Sequence, residues 1–284
     1  MHLVSESVNL FMFPLKTMIV DDDNDYLDLL SKELKNINCS IFNSSEEIIK
    51  NLDPIHITIN YFLEDNFIGI RDLNYSNIEQ FVNKHENKQG ILIADYSMPN
   101  INGIELLTKY YYATLRKILL TNVFTMEEAI DALHKKHINY YLPKERTAIL
   151  LEVIKEQQLI FFEEITQSII KVLHSNNSSY LKFLSDKIYI NIFNEICQKY
   201  NIKKYYIINS YGNYYLENDT NKYIFSIYSK DDLIEIAKDF SEDSKYNIQH
   251  GNLIPSFFSE EHNMPLIEAI KSENYFYAIE EIKS

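Results

Sequence analysis

The stretch ILIADYSMPNINGIELL, residues 91–107, decides the fold. Ile91 to Ala94 is apolar at every position, without the polar alternation of a half-exposed strand, so it reads as a parallel strand covered on both faces. Asp95 then puts a bare carboxylate at the strand's carboxyl end, where open α/β sheets bind their ligands. Met98-Pro99 and Gly103 mark a turn just beyond it. Taken alone, Asp95 is as readily an acid that starts a helix.

The neighbouring sequence repeats the pattern. Residues 17–20 (TMIV), 39–42 (CSIF), 117–121 (KILLT) and 138–142 (INYYL) read as further strands. Between them, residues 24–34, 44–52 and 125–137 carry apolar side chains at helical spacing or helix-start signals. Alternating strands and helices of this kind predict a doubly wound parallel sheet of five strands. If the strand order is 2-1-3-4-5, the chain reverses beside the first and third strands, and the crevice lies there. Asp21, Asp22 and Asp23 follow the first strand, Asp95 the third, Thr121 ends the fourth and Lys144 follows the fifth. Clustered carboxylates repel, so either their pKa values rise or a cation neutralises them. An all-oxygen site with room for water suits Mg²⁺, and a hydroxyl and an ammonium beside it suit the spread charge of a phosphoryl group. Singly, Thr121 could satisfy a backbone group and Lys144 could be a solvated strand-end lysine. Jointly those readings require five coincidences of position.

The motifs IVDDD, ILIADYSMPNINGIELL, KILLT and YYLPK, in that order, resemble the receiver domain of two-component response regulators. The resemblance implies a flavodoxin-like α/β fold with Asp95 as phosphoacceptor. It implies Mg²⁺ bound by Asp22 directly, by Asp21 through water, by Asp95 and by the backbone carbonyl of Ser97. Thr121 and Lys144 would meet the phosphoryl group, and Tyr141 would change rotamer when Thr121 is drawn inward. A sensor histidine kinase, or a hybrid kinase or phosphotransfer protein, would be the donor. The receiver would catalyse only its own phosphorylation and dephosphorylation. Two departures stand out: Asn122 occupies a position that is usually small, and Glu145 follows the lysine where a proline, often cis, is usual.

The separation of Asp22 and Asp95 exceeds by about thirty residues what a helix, a strand and a second helix with short loops require. An insertion at about residues 53–74, packed on the receiver, accounts for it, with residues 76–86 a helix leading into the third strand. The expected domains are therefore a receiver over 1–147, a helical linker over 148–177 and a small α+β module over 178–284. This enlarged receiver looks like a subgroup of bacterial regulators whose output is not DNA binding. Residues 148–174 read as one long helix with 3.5- and 3.6-residue periodicity, suited either to a homodimer or to packing on its own domain. A helix at about 178–199 and an antiparallel meander over 204–229 follow, then a helix from 230 and a closing strand near 274–282. The turn in this module loosely resembles sensor modules of the PAS type, and a packed tyrosine-rich sheet explains it as well.

Composition bounds the rest. With 284 residues and 46% hydrophobic content the chain has room for two domains. The net charge of −14, shared evenly by the two halves, argues against nucleic acid as a partner. Cys39 and Cys197 are far apart, which fits a reducing cytoplasm and no cysteine-rich metal site. No apolar run reaches membrane-spanning length, so no membrane insertion is expected. Three outputs compete: phosphorylation-switched protein contacts, a small-ligand site in the C-terminal module, and an effector enzyme. A pocket with convergent polar groups would favour the second. The third needs a polar constellation in residues 175–284 that the sequence does not display.

Overall fold

In the computed structural model, the strand expected at Ile91–Ala94 spans Gln89–Ala94 and is buried at all six positions. The structure describes residues 7–54, 67–68, 72–73, 75–110, 114–123, 125–174, 181–256 and 266–282. Five strands form one parallel sheet in the spatial order Cys39–Phe42, Lys16–Val20, Gln89–Ala94, Arg116–Leu120, Tyr140–Leu142. That is the 2-1-3-4-5 order.

Alternate residues of the inner strands feed two cores. Met18, Val20, Leu92, Ala94 and Leu119 pack with Ile48, Leu106 and Leu107 on one side. Ile19, Ile91, Ile93, Ile118 and Leu120 pack with Leu27, Leu30, Leu150 and Val153 on the other. Both faces being covered explains why no polar alternation survives in these strands. Each fully buried aliphatic side chain contributes about 1.5–3 kcal/mol. Helix starts follow their local signals. Asp23 caps Asn24–Glu33 by accepting the Tyr26 N–H, while Asn102 with Glu105 and Thr125 with Glu128 form reciprocal capping boxes. The helix expected over 125–137 ends earlier, at His134, because Lys136 takes a left-handed φ of 57°.

The chain divides into two compact units. One comprises the described residues of Pro14–Ile59 and His85–Ile165 and holds the parallel sheet; the other comprises those of Met1–Phe13, Asn60–Lys84 and Thr166–Ser284. This division differs from the expected boundaries at 147 and 177. The expected helix at 76–86 is present as Tyr75–His85, but nearly all of it groups with the C-terminal unit rather than the receiver. There Phe81 packs against Phe11 and Phe13, and Lys204 donates to Asn83 Oδ1 at 3.0 Å. Most of the insertion at 53–74 lies outside the described residues. The long helix runs from Leu150 to His174 after a 3₁₀ turn at Lys144–Ile149. The helix expected from 178 begins at Lys187, where Asp186 caps it by accepting two N–H groups.

The second unit contains a six-stranded antiparallel sheet in the order Phe11–Met12, Lys204–Ile207, Tyr214–Glu217, Lys222–Ser229, Tyr275–Glu281, Ile270–Ser272. Helix Lys187–Lys199 covers one face, with Phe193 against Tyr205, Tyr214 and Phe225 at ring separations of 5.1, 4.8 and 6.0 Å. Two of the buried phenols find backbone acceptors: Tyr189 donates to the Gly212 carbonyl and Tyr214 to that of Asn9. Helix Glu242–Gln249 and the strand pair Leu253–Pro255 and Leu266–Glu268 also belong to this unit and were not anticipated. Among the described residues, no helix is long and apolar enough to cross a membrane.

Gly103 leaves no room for a side chain. A Cβ there would lie 2.2 Å from the backbone carbonyl oxygen of Asp95, and the Gly103 N–H donates to the Tyr96 carbonyl at 3.0 Å. Gly103→Ala is expected to cost about 1–3 kcal/mol, since backbone rather than a flexible side chain must move. A urea titration checks it; an unchanged midpoint would show that the turn relaxes freely.

Candidate functional site

Three site residues are held by the sheet itself, one rung beyond their strands. The Asp21 N–H donates to Phe42 O at 3.2 Å, the Asp95 N–H to Val20 O at 2.9 Å, and the Thr121 N–H to Leu142 O at 3.2 Å. The carboxyl ends of neighbouring strands thereby place these side chains together at the switch point. Asp21, Asp95 and Thr121 are buried, with 1%, 4% and 1% of their surface exposed. Asp22 is exposed, and one carboxylate oxygen from each of Asp21, Asp22 and Asp95 lies within 4.8 Å of the others.

Lys144 reaches into this cluster. Its Nζ lies 2.6 Å from Asp21 Oδ2 and 3.1 Å from Asp95 Oδ1. The other oxygens are met by backbone: Asp21 Oδ1 accepts from the Asp23 N–H at 3.1 Å, and Asp95 Oδ2 from the Ser97 N–H at 2.7 Å. Among the described residues no donor is hydrogen-bonded to the buried Asp21 Oδ2, whose neighbour is the Lys144 ammonium. Burial pushes the Asp21 carboxyl above its ordinary value and Asp95 adds to that, while Lys144 and the Asp23 N–H pull it back. Burial alone would lower the Lys144 amine, but Asp21 and Asp95 outweigh it and hold the amine up. Asp21, almost fully buried, bears a larger cost for its charge than Lys144, which keeps contact with water.

Two residues join this site that the sequence reading did not single out. The Lys144 ammonium sits over the Tyr26 ring, 4.7 Å from its centroid. The Tyr26 hydroxyl meets the Thr147 hydroxyl, which in turn hydrogen-bonds the Lys144 carbonyl. The available signal was spacing: Tyr26 opens the first turn after the acids, and Thr147 lies three residues past the lysine. Among the expected residues, Thr121 Oγ accepts from the Val123 N–H at 3.4 Å. Tyr141 is half-buried against the core of Met18, Leu92 and Leu119. The Ser97 N–H donates to Asp95 Oδ2, which leaves its carbonyl outside that bond. The two departures meet each other, as the Glu145 N–H donates to Asn122 Oδ1 at 3.3 Å.

The donor set fits Mg²⁺. It is composed of oxygens, one of them buried without an aligned donor, and Asp22 leaves an open side for water. No protein-family model matches the sequence, and no curated protein matches it. Among solved structures, the Legionella pneumophila response regulator LqsR superposes with a TM-score of 0.74 at 22% identity, over 96% of this chain and 88% of that one. The chain shares a response-regulator fold. A CheY-like receiver domain from Methanospirillum hungatei JF-1 overlaps 53% of this chain and 98% of its own at 21% identity, with a TM-score of 0.36. An adenylate cyclase from Rhodopirellula baltica overlaps 54% of this chain and 96% of its own at 17% identity, also with a TM-score of 0.36. Overlaps that weak carry no argument. The receiver fold puts the acids of its first and third strands side by side, as the sheet order requires.

The raised Asp21 carboxyl has a testable consequence in the absence of divalent cations. The ionised form carries the burial penalty, so Asp21→Asn is expected to be more stable than the parent at neutral pH. The gain shrinks as pH falls through the raised pKa. It disappears below the ordinary carboxylate value of 3.8, where Asp21 is protonated in both folded and unfolded chains. Urea midpoints measured in chelator across the acid range check this; a gain that persists at low pH would contradict it.

Proposed function

We propose that the chain is the response regulator of a two-component phosphorelay, accepting a phosphoryl group on Asp95 from a histidine kinase or a phosphotransfer protein. The observation that carries this reading is the convergence of Asp21, Asp22 and Asp95 within 4.8 Å, with Lys144 Nζ 3.1 Å from Asp95. In the step envisaged, an Asp95 carboxylate oxygen forms the new P–O bond as the donor's P–N bond breaks. The freed imidazole keeps the bonding pair and takes up a proton. Lys144 stays near Asp95 Oδ1 and would pair with a phosphoryl oxygen, and the Thr121 hydroxyl would meet another. Mg²⁺ held by Asp21, Asp22, Asp95 and the Ser97 carbonyl would offset charge on the transferred group.

Phosphorylation adds roughly one to two negative charges and strong acceptor oxygens. Drawing Thr121 toward them would vacate space for Tyr141. The surface next to Thr121 supports an output through protein contact, because Val123, Ile130 and Leu133 are exposed there. The output we envisage is a change in protein–protein contacts or oligomeric state through the C-terminal unit, in a cytoplasmic protein. The net charge of −14 supports an output without duplex DNA.

Incubation with a small phosphodonor and Mg²⁺ is expected to add one phosphoryl group, and Asp95→Asn to abolish it. Full labelling of the Asn variant would refute the acceptor. Asp22→Ala should chiefly weaken Mg²⁺ binding, whereas Lys144→Ala should slow phosphorylation with little loss of metal affinity. Light scattering on matched samples reads the output: a phosphorylation-dependent change in mass supports it, and identical profiles count against it.

A further inference from the structure

Tyr26 enters the acidic site from helix Asn24–Glu33, and its placement is tied to the acids themselves. The Asp23 N–H donates to Asp21 Oδ1 at 3.1 Å, and Asp23 Oδ1 in turn accepts the Tyr26 N–H at 3.1 Å. Helix cap and acid cluster thus form one hydrogen-bonded run, which sets the half-buried Tyr26 ring beside Lys144. Part of that ring packs on the core that holds Ile19, Leu27 and Leu30, a task any apolar side chain of similar size performs. Two further contacts are beyond such a side chain.

The first is at the ammonium, whose Nζ lies over the ring, 4.7 Å from its centroid. The second is at the backbone of the lysine. The Thr147 hydroxyl donates its single hydrogen to the Lys144 carbonyl, so the hydrogen between Thr147 and Tyr26 comes from the phenol. Burial pushes that phenol above its ordinary value, so it keeps the proton it donates at neutral pH. One residue therefore holds Lys144 at both ends.

The ring differs from the other partners of the ammonium in what a metal does to it. Lys144 Nζ lies 2.6 Å from Asp21 Oδ2 and 3.1 Å from Asp95 Oδ1, and both acids belong to the oxygen cluster that suits Mg²⁺. A divalent cation on those oxygens weakens their hold on the ammonium and repels it directly. Mg²⁺ takes oxygen ligands and leaves an aromatic face alone. Among the described partners of the ammonium, the ring is the one whose hold a metal leaves intact.

We propose that Tyr26 is the positioning residue for Lys144. Its ring retains the ammonium beside Asp95 while Mg²⁺ engages the carboxylates, and its hydroxyl, through Thr147, fixes the lysine backbone. The consequence for rate rests on Asp95 being the phosphoacceptor; the hold on Lys144 does not. Proton NMR of the full chain reads that hold without any phosphorylation. The ring shields the protons on the carbon bearing the Lys144 ammonium, and Lys144→Arg assigns their resonance by its loss. That resonance should lie upfield of the other lysines in chelator and stay upfield at saturating Mg²⁺. It should persist in Tyr26→Phe and lose its displacement in Tyr26→Leu. Phosphorylation by a small phosphodonor at saturating Mg²⁺ should slow about fivefold in Tyr26→Leu and about twofold in Tyr26→Phe, with Mg²⁺ affinity held within about twofold in both. An unshielded resonance in the parent, or shielding lost on adding Mg²⁺, overturns the proposal without recourse to any Tyr26 variant. So does a Tyr26→Leu chain, shown folded by its spectrum, that is phosphorylated as fast as the parent. A parent that keeps the shielding yet takes no phosphoryl group would instead refute Asp95 as acceptor and uphold the hold on Lys144.

Discussion

Three carboxylates gathered at one edge of a parallel sheet repel one another, and Lys144 supplies the charge that opposes them. Two like charges 4 Å apart at an effective dielectric of 20 cost about 4 kcal/mol, a large fraction of a domain's net stability. The sheet leaves no room to relax this by displacement, because Asp21 and Asp95 are each tied into the backbone ladder of the neighbouring strand. The lysine is itself held, by the Tyr26 ring beneath its ammonium and by Thr147 at its carbonyl. The result is a site whose negative charge is only partly offset, with one buried Asp21 oxygen still lacking a hydrogen-bond donor among the described residues.

Such a partial offset suits a switch. Any group that adds negative charge at Asp95 must compete for the same ammonium that neutralises Asp21. The hydrogen bond between Glu145 and Asn122 ties the loop after the lysine to the loop after the threonine, two segments that the proposed activation would move. The two departures from the usual receiver pattern therefore act on each other. Beyond Thr121, exposed Val123 and Ile130 offer apolar surface that a change in this region could present or withdraw.

The parallel sheet was legible because burial on both faces writes itself into sequence as unbroken runs, and Ile91–Ala94 is such a run. The site was legible because its residues sit at strand ends, where position alone implies convergence. Tyr26 was less visible: its aromatic ring is at helical spacing and reads as core until Lys144 is seen above it. The six-stranded sheet was only half legible. Its central meander alternates and turns recognisably, but its edge strand Phe11–Met12 is two residues long and pairs with Tyr205 and Tyr206 across most of the chain. Helix Glu242–Gln249 is short and predominantly polar, so periodicity gives it no signature. The grouping of Asn60–Lys84 with the C-terminal unit is a matter of which apolar faces meet, such as Phe81 with Phe11, and no local pattern encodes that.

The central claim is that the carboxylate opposed to Lys144, that of Asp95, is the one that takes the phosphoryl group. Borohydride reduces an acyl phosphate on aspartate to homoserine, so reduction of the phosphorylated protein followed by peptide mapping reads the acceptor directly. The account predicts homoserine at position 95 and nowhere else. Homoserine at position 21 or 22, or phosphate retained on a histidine or hydroxyl side chain with Asp95 intact, would contradict it.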